Sequence, residues 1–195
     1  MTRGGFRKKS ADNRMTKIQT PRWGWALTGS GHFLKESLAL IRELEHVDLF
    51  VSKAGAEVLR MYKQELALPR ATRVYRDTSA SSVPVGQFYY GVYHTLIVAP
   101  ATSNAVAKFV CGISDDLVSN VFAQGGKCRV PVIVFACDTA PELKTEAPKG
   151  MVKVYPRPID LENRERLGRF AGATTVDSIA ELRVAIARRR SEIAA

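Results

Sequence analysis

The sequence predicts an α/β protein, a single Rossmann-like domain in which a parallel sheet is sandwiched by helices. Three observations predict it. Apolar runs of strand length alternate with segments of helical periodicity, the mark of βα units. Two of those runs end in small polar turns, TGSGH at 28–32 and PATSN at 100–104. With 195 residues and 46% hydrophobic content, the chain can bury one core without disulfides or metals.

Residues 1–20 carry Arg3, Arg7, Lys8, Lys9, Arg14 and Lys17 against Asp12 and have no hydrophobic period, so they read as a flexible basic extension ahead of a domain at 21–195. Trp23 to Thr28 is a buried strand, Gly29, Ser30 and Gly31 turn the chain, and Leu34, Leu38, Ile41 and Leu44 recur at helical spacing. Val47 to Ser52 is a second strand, followed by a helical face of Val58, Leu59, Tyr62 and Leu66. Residues 77–88 hold Ser, Pro and Gly without a period and read as a loop. Thr95 to Ala99 is the next strand. Val106, Phe109, Val110 and Ile113, then Leu117, Val121 and Phe122, fit two short helices or one kinked at Gly112. Val130 to Ala136 is a strand, residues 138–168 are mixed and proline-rich, Thr174 to Val176 is a short strand, and Ile179, Leu182 and Ile186 mark a closing helix. Five or six strands are expected.

The net charge is +10, about half of its excess in the first 20 residues. No other basic stretch is interleaved with aromatics, so nucleic acid is not an expected partner. Arg188, Arg189 and Arg190 end the last helix, where cations suit the helix dipole and equally suit a partner. Cys111, Cys128 and Cys137 match neither CxxC nor a zinc pattern and read as reduced thiols, Cys111 packing in an apolar helix face. No apolar run reaches the roughly 18 residues of a membrane helix, and the basic N-terminus lacks a signal-peptide core, so a cytoplasmic protein away from membranes is expected.

Chemistry concentrates in the two turns. At the carboxyl edge of a parallel sheet, Gly29, Ser30 and Gly31 let backbone approach a phosphate at a helix N-terminus; a plain tight turn reads the same way. Leu34 replaces the third glycine of GxGxxG, which disfavours a dinucleotide. His32 suits ligand contact or a surface role. Thr102, Ser103 and Asn104 come to the same edge and suit a polar ligand or ordinary N-capping, with Ser52 nearby. Asp115 and Asp116 read as capping or interface residues, and Tyr89, Tyr90 and Tyr93 as ring-stacking or interface residues.

Thr28-Gly29-Ser30-Gly31, Ser52, the loop Ala80-Ser81-Ser82 through Gly86 and Phe88, and PATSNAVAKFVCGISDDLVSN together resemble the superfamily of flavin-dependent cysteine decarboxylases and flavin prenyltransferases. The last segment is similar to a PxSANTxxKxxxGIxDxL pattern over some twenty residues. The resemblance covers roughly residues 22–140. It implies a flavodoxin-like sandwich, FMN as cofactor held partly between subunits, and a homo-oligomer built from trimers. It implies FMN contacts at Gly29, Ser30, Gly31, His32, Ser52, Ser81, Ser82, Thr102, Ser103, Asn104 and Cys137, with no catalytic side chain and no metal.

Departures from the pattern sort the activities. Gly86 stands where the decarboxylases carry their catalytic His, and no PxMNxxM clamp lies between Val134 and Tyr155. Cys137 stands where the prenyltransferases carry an Arg. TGSGHFLKES and SKAGAEVLRMY look closest to archaeal-type flavoproteins and acceptor-linked dihydromethanopterin reductases. That branch implies reduction of a dihydropterin, with the flavin carrying the chemistry. A basic surface would suit an acidic electron donor such as ferredoxin or flavodoxin, separate because this chain has no cysteine cluster. Cys137, Asp138 and Thr139 would line the pterin pocket or simply end a strand. A decarboxylase or prenyltransferase of the same superfamily is the alternative, and, from a different class, a basic nucleic-acid-binding module.

Overall fold

The computed structural model describes residues 20–78 and 82–194. Residues 1–19 of the basic extension at 1–20, and Ser81, lie outside the described residues. The elements run β1 Arg22–Leu27, α1 Leu34–Arg42, β2 Val47–Val51, α2 Lys53–Met61, β3 Arg73–Arg76, α3 Ser82–Gly86, a 3-10 turn Gln87–Tyr90, β4 Tyr93–Ala101, α4 Ser103–Cys111, α5 Leu117–Lys127, β5 Val132–Ala136, β6 Leu143–Ala147, β7 Gly150–Val154, α6 Pro158–Leu167, β8 Ala173–Val176 and α7 Ile179–Ala194. Six strands form one parallel sheet, ordered β3-β2-β1-β4-β5-β8, and β6 and β7 form a separate antiparallel hairpin.

The sheet is covered on both faces, which is why its central strands are apolar throughout. Alternate residues divide between two cores. Trp25, Leu27, Leu49, Val51, Ile97 and Phe135 pack against Leu34, Leu38 and Ile41 of α1, Leu59 of α2 and Leu182 and Ile186 of α7. Ala26, Phe50, Leu96, Val98, Val132 and Val134 pack against Phe88, Val106, Phe109, Leu117 and Val121 on the opposite side. The sandwich expected from the alternation is therefore the observed fold.

Three stretches escape the periodicity, and a fourth takes one of its two expected forms. β3 has only four residues on an edge, with Arg73 and Arg76 at its ends. The 77–88 segment, expected as loop, holds α3 and part of the 3-10 turn. The 138–168 stretch folds as the hairpin and α6, whose buried residues include Asp160 and Asn163 and so carry no apolar stripe. The 103–127 segment resolves into two helices, because Gly112 takes φ +70° and ends α4.

Two side-chain expectations are corrected. Cys111 is exposed, one step past the buried stripe of Val106, Phe109 and Val110. The terminal arginines hold the fold: Arg189 donates to the His94 carbonyl at 3.2 Å and to Thr95 Oγ1 at 3.2 Å, and Arg190 donates to the Glu43 carbonyl at 2.6 Å. Among the described residues, no helix is long and apolar enough to cross a membrane.

Candidate functional site

The chain leaves β1 toward β2 and β3 on one side, then returns to β4 on the other. The order reverses between β1 and β4, and ligands of open parallel sheets bind in that crevice beyond the carboxyl ends. Both turns singled out in the sequence meet there. Thr28 Oγ1 donates to the Pro100 carbonyl at 2.7 Å and accepts the Thr102 N–H at 3.0 Å, joining the turn after β1 to the turn after β4. Trp25 Nε1 donates to the Ala99 carbonyl at 2.7 Å one layer below.

The crevice is rich in unused backbone donors. Among the described residues, the N–H groups of Gly29, Ser30 and Gly31 donate to no protein acceptor. The same holds for Lys53 and Ala54 at the start of α2 and for Ser103 and Asn104 at the start of α4. Ser52 caps α2 by accepting the Gly55 N–H at 3.0 Å, and Thr102 caps α4 by accepting the Ala105 N–H at 3.2 Å. Each hydroxyl keeps its own proton for a ligand. Successive free N–H groups next to two helix N-termini make a positive concavity suited to an anion.

A side chain at Gly29 would have to displace α2, and one at Gly31 would have to displace the end of Tyr62. A Cβ on Gly29 would lie 2.6 Å from the Ala54 Cβ and 3.3 Å from the Ala54 carbonyl carbon, because the turn rests flat on the start of α2. A Cβ on Gly31 would lie 2.0 Å from the Tyr62 hydroxyl oxygen.

Two cavities open from the crevice, and Gly29 and Thr102 line both. The larger, about 470 Å³, lies between Gly29–His32, Cys137 and Asp138 on one side and the hairpin with Tyr155 and Arg157 on the other. The smaller, about 330 Å³, is lined by Ser52, Lys53, Asp77, Asn104 and Lys108 among others. Tyr62 donates to the Glu146 carbonyl at 2.8 Å and Lys35 pairs with the Glu146 carboxylate at 2.6 Å, so α1 and the residue that closes α2 hold the hairpin over the larger cavity.

The ionisable groups here are set by burial and by each other. Cys137 is buried, its thiol donates to Ser30 Oγ at 3.2 Å, and burial pushes its pKa up to about 12. It is a neutral thiol at physiological pH. Burial lowers the His32 pKa, partly opposed by Asp138 and Glu36, which favours the neutral imidazole. Asp138 accepts a hydrogen bond from the Ser103 hydroxyl. Lys108 Nζ lies 2.7 Å from both Asp115 and Asp116. Burial opposes the Asp116 charge, but Lys108 and Ser119 outweigh it and hold its pKa below the ordinary carboxylate value. Asp116 also caps α5, as the sequence suggested for this pair.

Of the residues singled out in sequence, Gly29, Ser30, Gly31, His32, Ser52, Thr102, Asn104 and Cys137 line the two cavities. Ser103 opens α4 beside them and bonds to Asp138. Ser82 is an exposed residue at the start of α3 and lines neither cavity. Tyr93 is buried at the opposite end of β4, donating to Asp48 at 2.8 Å, while Tyr89 and Tyr90 are exposed and line neither cavity. Sequence reasoning missed Lys53, Asp77, Lys108, Tyr62 and the hairpin residues. Lys53 was within reach of it, since it directly follows a strand-end serine just as Gly29 follows Thr28. Glu146 and Arg157 gave no such signal, coming from a stretch without periodicity.

Comparison with known proteins adds four findings. A family model described as Flavoprotein matches residues 11–193. The dihydromethanopterin reductase (acceptor) of Methanosarcina mazei is 39% identical over 141 residues, 65% of this chain and 59% of that protein. The dihydromethanopterin reductase (acceptor) of Methanocaldococcus jannaschii is 37% identical over 134 residues, 58% and 52% of the two chains. The match thus spans little more than half the length of these reductases. The crystal structure of Burkholderia xenovorans DmrB in complex with FMN, described as a cubic protein cage for redox transfer, superposes with a TM-score of 0.80 at 47% identity, covering 92% of this chain and 99% of that one.

Proposed function

The chain belongs to the flavoprotein family, and on that footing we propose that it is an FMN-dependent oxidoreductase that reduces dihydromethanopterin to tetrahydromethanopterin with electrons from a separate donor. One observation carries the reading: the free N–H groups of Gly29, Ser30 and Gly31 and those opening α2 and α4 face one crevice at the switch point. The FMN phosphate takes such donors, with the Ser52 hydroxyl and Lys53 beside them. The absent side chain at Gly29 leaves that backbone uncovered. Thr102, Ser103 and Asn104 would offer polar groups to the flavin, and His32, which burial biases toward the neutral imidazole, and the neutral thiol of Cys137 line the larger cavity.

When bound, FMN supplies the electron transfer that side chains cannot perform. The chain's own work is positional. Asp138, fixed by Ser103, offers a carboxylate acceptor to the amino-pyrimidine edge of the pterin in the larger cavity. The hairpin, held by Tyr62 and Lys35, forms one wall of the larger cavity in which the substrate would sit. Cys137 retains its proton and so does not compete as a nucleophile. Gly86, where a decarboxylase would carry its His, has nothing within 4 Å of its missing side chain and lines neither cavity, which supports reduction over decarboxylation.

The assembly we propose is a homo-oligomer built from trimers, acting in the cytoplasm with an acidic donor such as ferredoxin or flavodoxin. Titration of the apoprotein with FMN tests the cofactor assignment. We expect one FMN per chain with quenched flavin fluorescence, and a chain that takes up none refutes the proposal.

A further inference from the structure

A groove of about 630 Å³ lies along α2 and the segment that follows it. Ala56, Leu59 and Leu66 give it an apolar floor, and on its rim the exposed cations Arg60, Lys63 and Arg76 outnumber the one carboxylate, Glu65. Among the described residues, none of these three cations forms an ion pair or donates a side-chain hydrogen bond. By contrast, Arg73, Arg164 and Arg183 each hold a carboxylate: Asp48, Asp177 and Glu43. A charge left unpaired beside an apolar concavity has the anatomy of a transient protein interface, an apolar centre inside a charged rim.

The groove is continuous with the crevice. Helix α2 begins at the smaller cavity, which Lys53 and Ala54 line, and its next residues, Ala56, Leu59 and Arg60, line the groove. Consecutive residues of the β3 end do the same: Arg76 faces the groove and Asp77 the cavity. From Lys53 to Arg60 the helix advances only about 10 Å. A protein seated in the groove therefore lies next to the proposed cofactor site.

We infer that this groove docks the protein that delivers the electrons, a small redox carrier with carboxylates around an apolar patch. The inference rests on the reductase reading above. Nucleic acid fits the face poorly, because no aromatic ring lines the groove to stack a base.

The test uses the FMN-loaded full chain and the triple variant Arg60→Glu, Lys63→Glu, Arg76→Glu, with a purified acidic ferredoxin as probe. Calorimetry reads the affinity, and stopped-flow mixing with the reduced ferredoxin reads the rate of flavin reduction. We expect the variant to bind at least 10-fold more weakly and to accept electrons roughly 10- to 100-fold more slowly at low ionic strength. The two proteins should converge at high salt. Flavin content and reduction by dithionite should match the wild type, which certifies the fold. A variant that binds flavin, is reduced by dithionite and is unchanged toward ferredoxin overturns the docking inference and leaves the reductase reading standing. A wild-type chain that takes up no FMN fails the reading itself. Steeply salt-dependent binding of a DNA duplex, lost in the variant while ferredoxin affinity is unchanged, assigns the face to nucleic acid and also overturns the inference.

Discussion

Thr28 and Thr102 are joined by a 3.0 Å hydrogen bond from the Thr102 amide to the Thr28 hydroxyl, which in turn donates to Pro100. One buried side chain thus fixes the spacing of the two turns between which the crevice opens. Replacing Thr28 by Val keeps the volume and leaves both backbone groups unsatisfied. The expected cost is about 1–3 kcal/mol of stability. Because the turns lose their register, FMN should bind at least 10-fold more weakly. Urea unfolding and flavin-fluorescence titration check the two effects, and unchanged FMN affinity in a destabilised variant would separate Thr28 from the site.

Gly29 and Gly31 should respond differently to alanine. At Gly31 the obstacle is the far end of Tyr62, a side chain that can swing away. At Gly29 it is Ala54, whose Cβ and backbone belong to the start of α2 and cannot move alone. Gly29→Ala should therefore abolish measurable FMN uptake, while Gly31→Ala should weaken it by about 10-fold or less and release the hairpin from Tyr62. Protease sensitivity of residues 143–154 reports that release. Adding Tyr62→Leu to Gly31→Ala should restore flavin binding but not hairpin protection.

The thiols should also separate. Cys137 is buried with a pKa pushed up to about 12, whereas Cys111 is exposed. With a disulfide reagent at pH 8, Cys111 should be modified first and Cys137 only after unfolding. Mass spectrometry of the labelled peptides decides it; equal rates for the two would contradict the buried site.

His94 makes stability pH-dependent at the far end of the sheet. Burial, and then Arg189, lower its pKa from 6.5 to about 4. Its edge meets the Trp23 ring at 4.6 Å. The unfolded chain binds the proton more readily, so this contribution is fully present above about pH 6.5 and is lost as pH falls toward 4. The loss should be about 2 kcal/mol between pH 7 and 4.5. Urea unfolding at the two pH values, with His94→Gln as reference, isolates it: the variant should lose less stability by about that amount. Asp48 changes later in the fall. Burial works against its charge, but Arg73, Arg22 and Tyr93 outweigh it and hold its pKa below the usual value.

The central βα units were legible because buried parallel strands must be apolar from end to end, as Trp25 to Leu27 and Ile97 to Ala99 are. Gly29 and Thr102 were legible because a turn at a carboxyl edge needs small residues and caps. The hairpin was not. Leu143 to Val154 packs no continuous apolar face and is held by polar contacts from Tyr62 and Lys35, which are 84 and 111 residues from Glu146 in sequence. The wall of the larger cavity, Arg157 included, was hidden for the same reason. Cys111 misled because period alone does not say where a stripe ends. Tyr93 misled because its hydroxyl serves a buried carboxylate, a partner that only the strand pairing reveals.

The most direct measurement is a single turnover without oxygen. FMN-loaded protein, reduced with a stoichiometric amount of dithionite, is mixed with dihydromethanopterin, and the visible flavin absorbance is followed with the products. We predict that the absorbance returns and that one tetrahydromethanopterin forms per flavin. A flavin that stays reduced in the presence of the dihydropterin, in a preparation that releases carbon dioxide from a cysteine-ended peptide, would contradict the account.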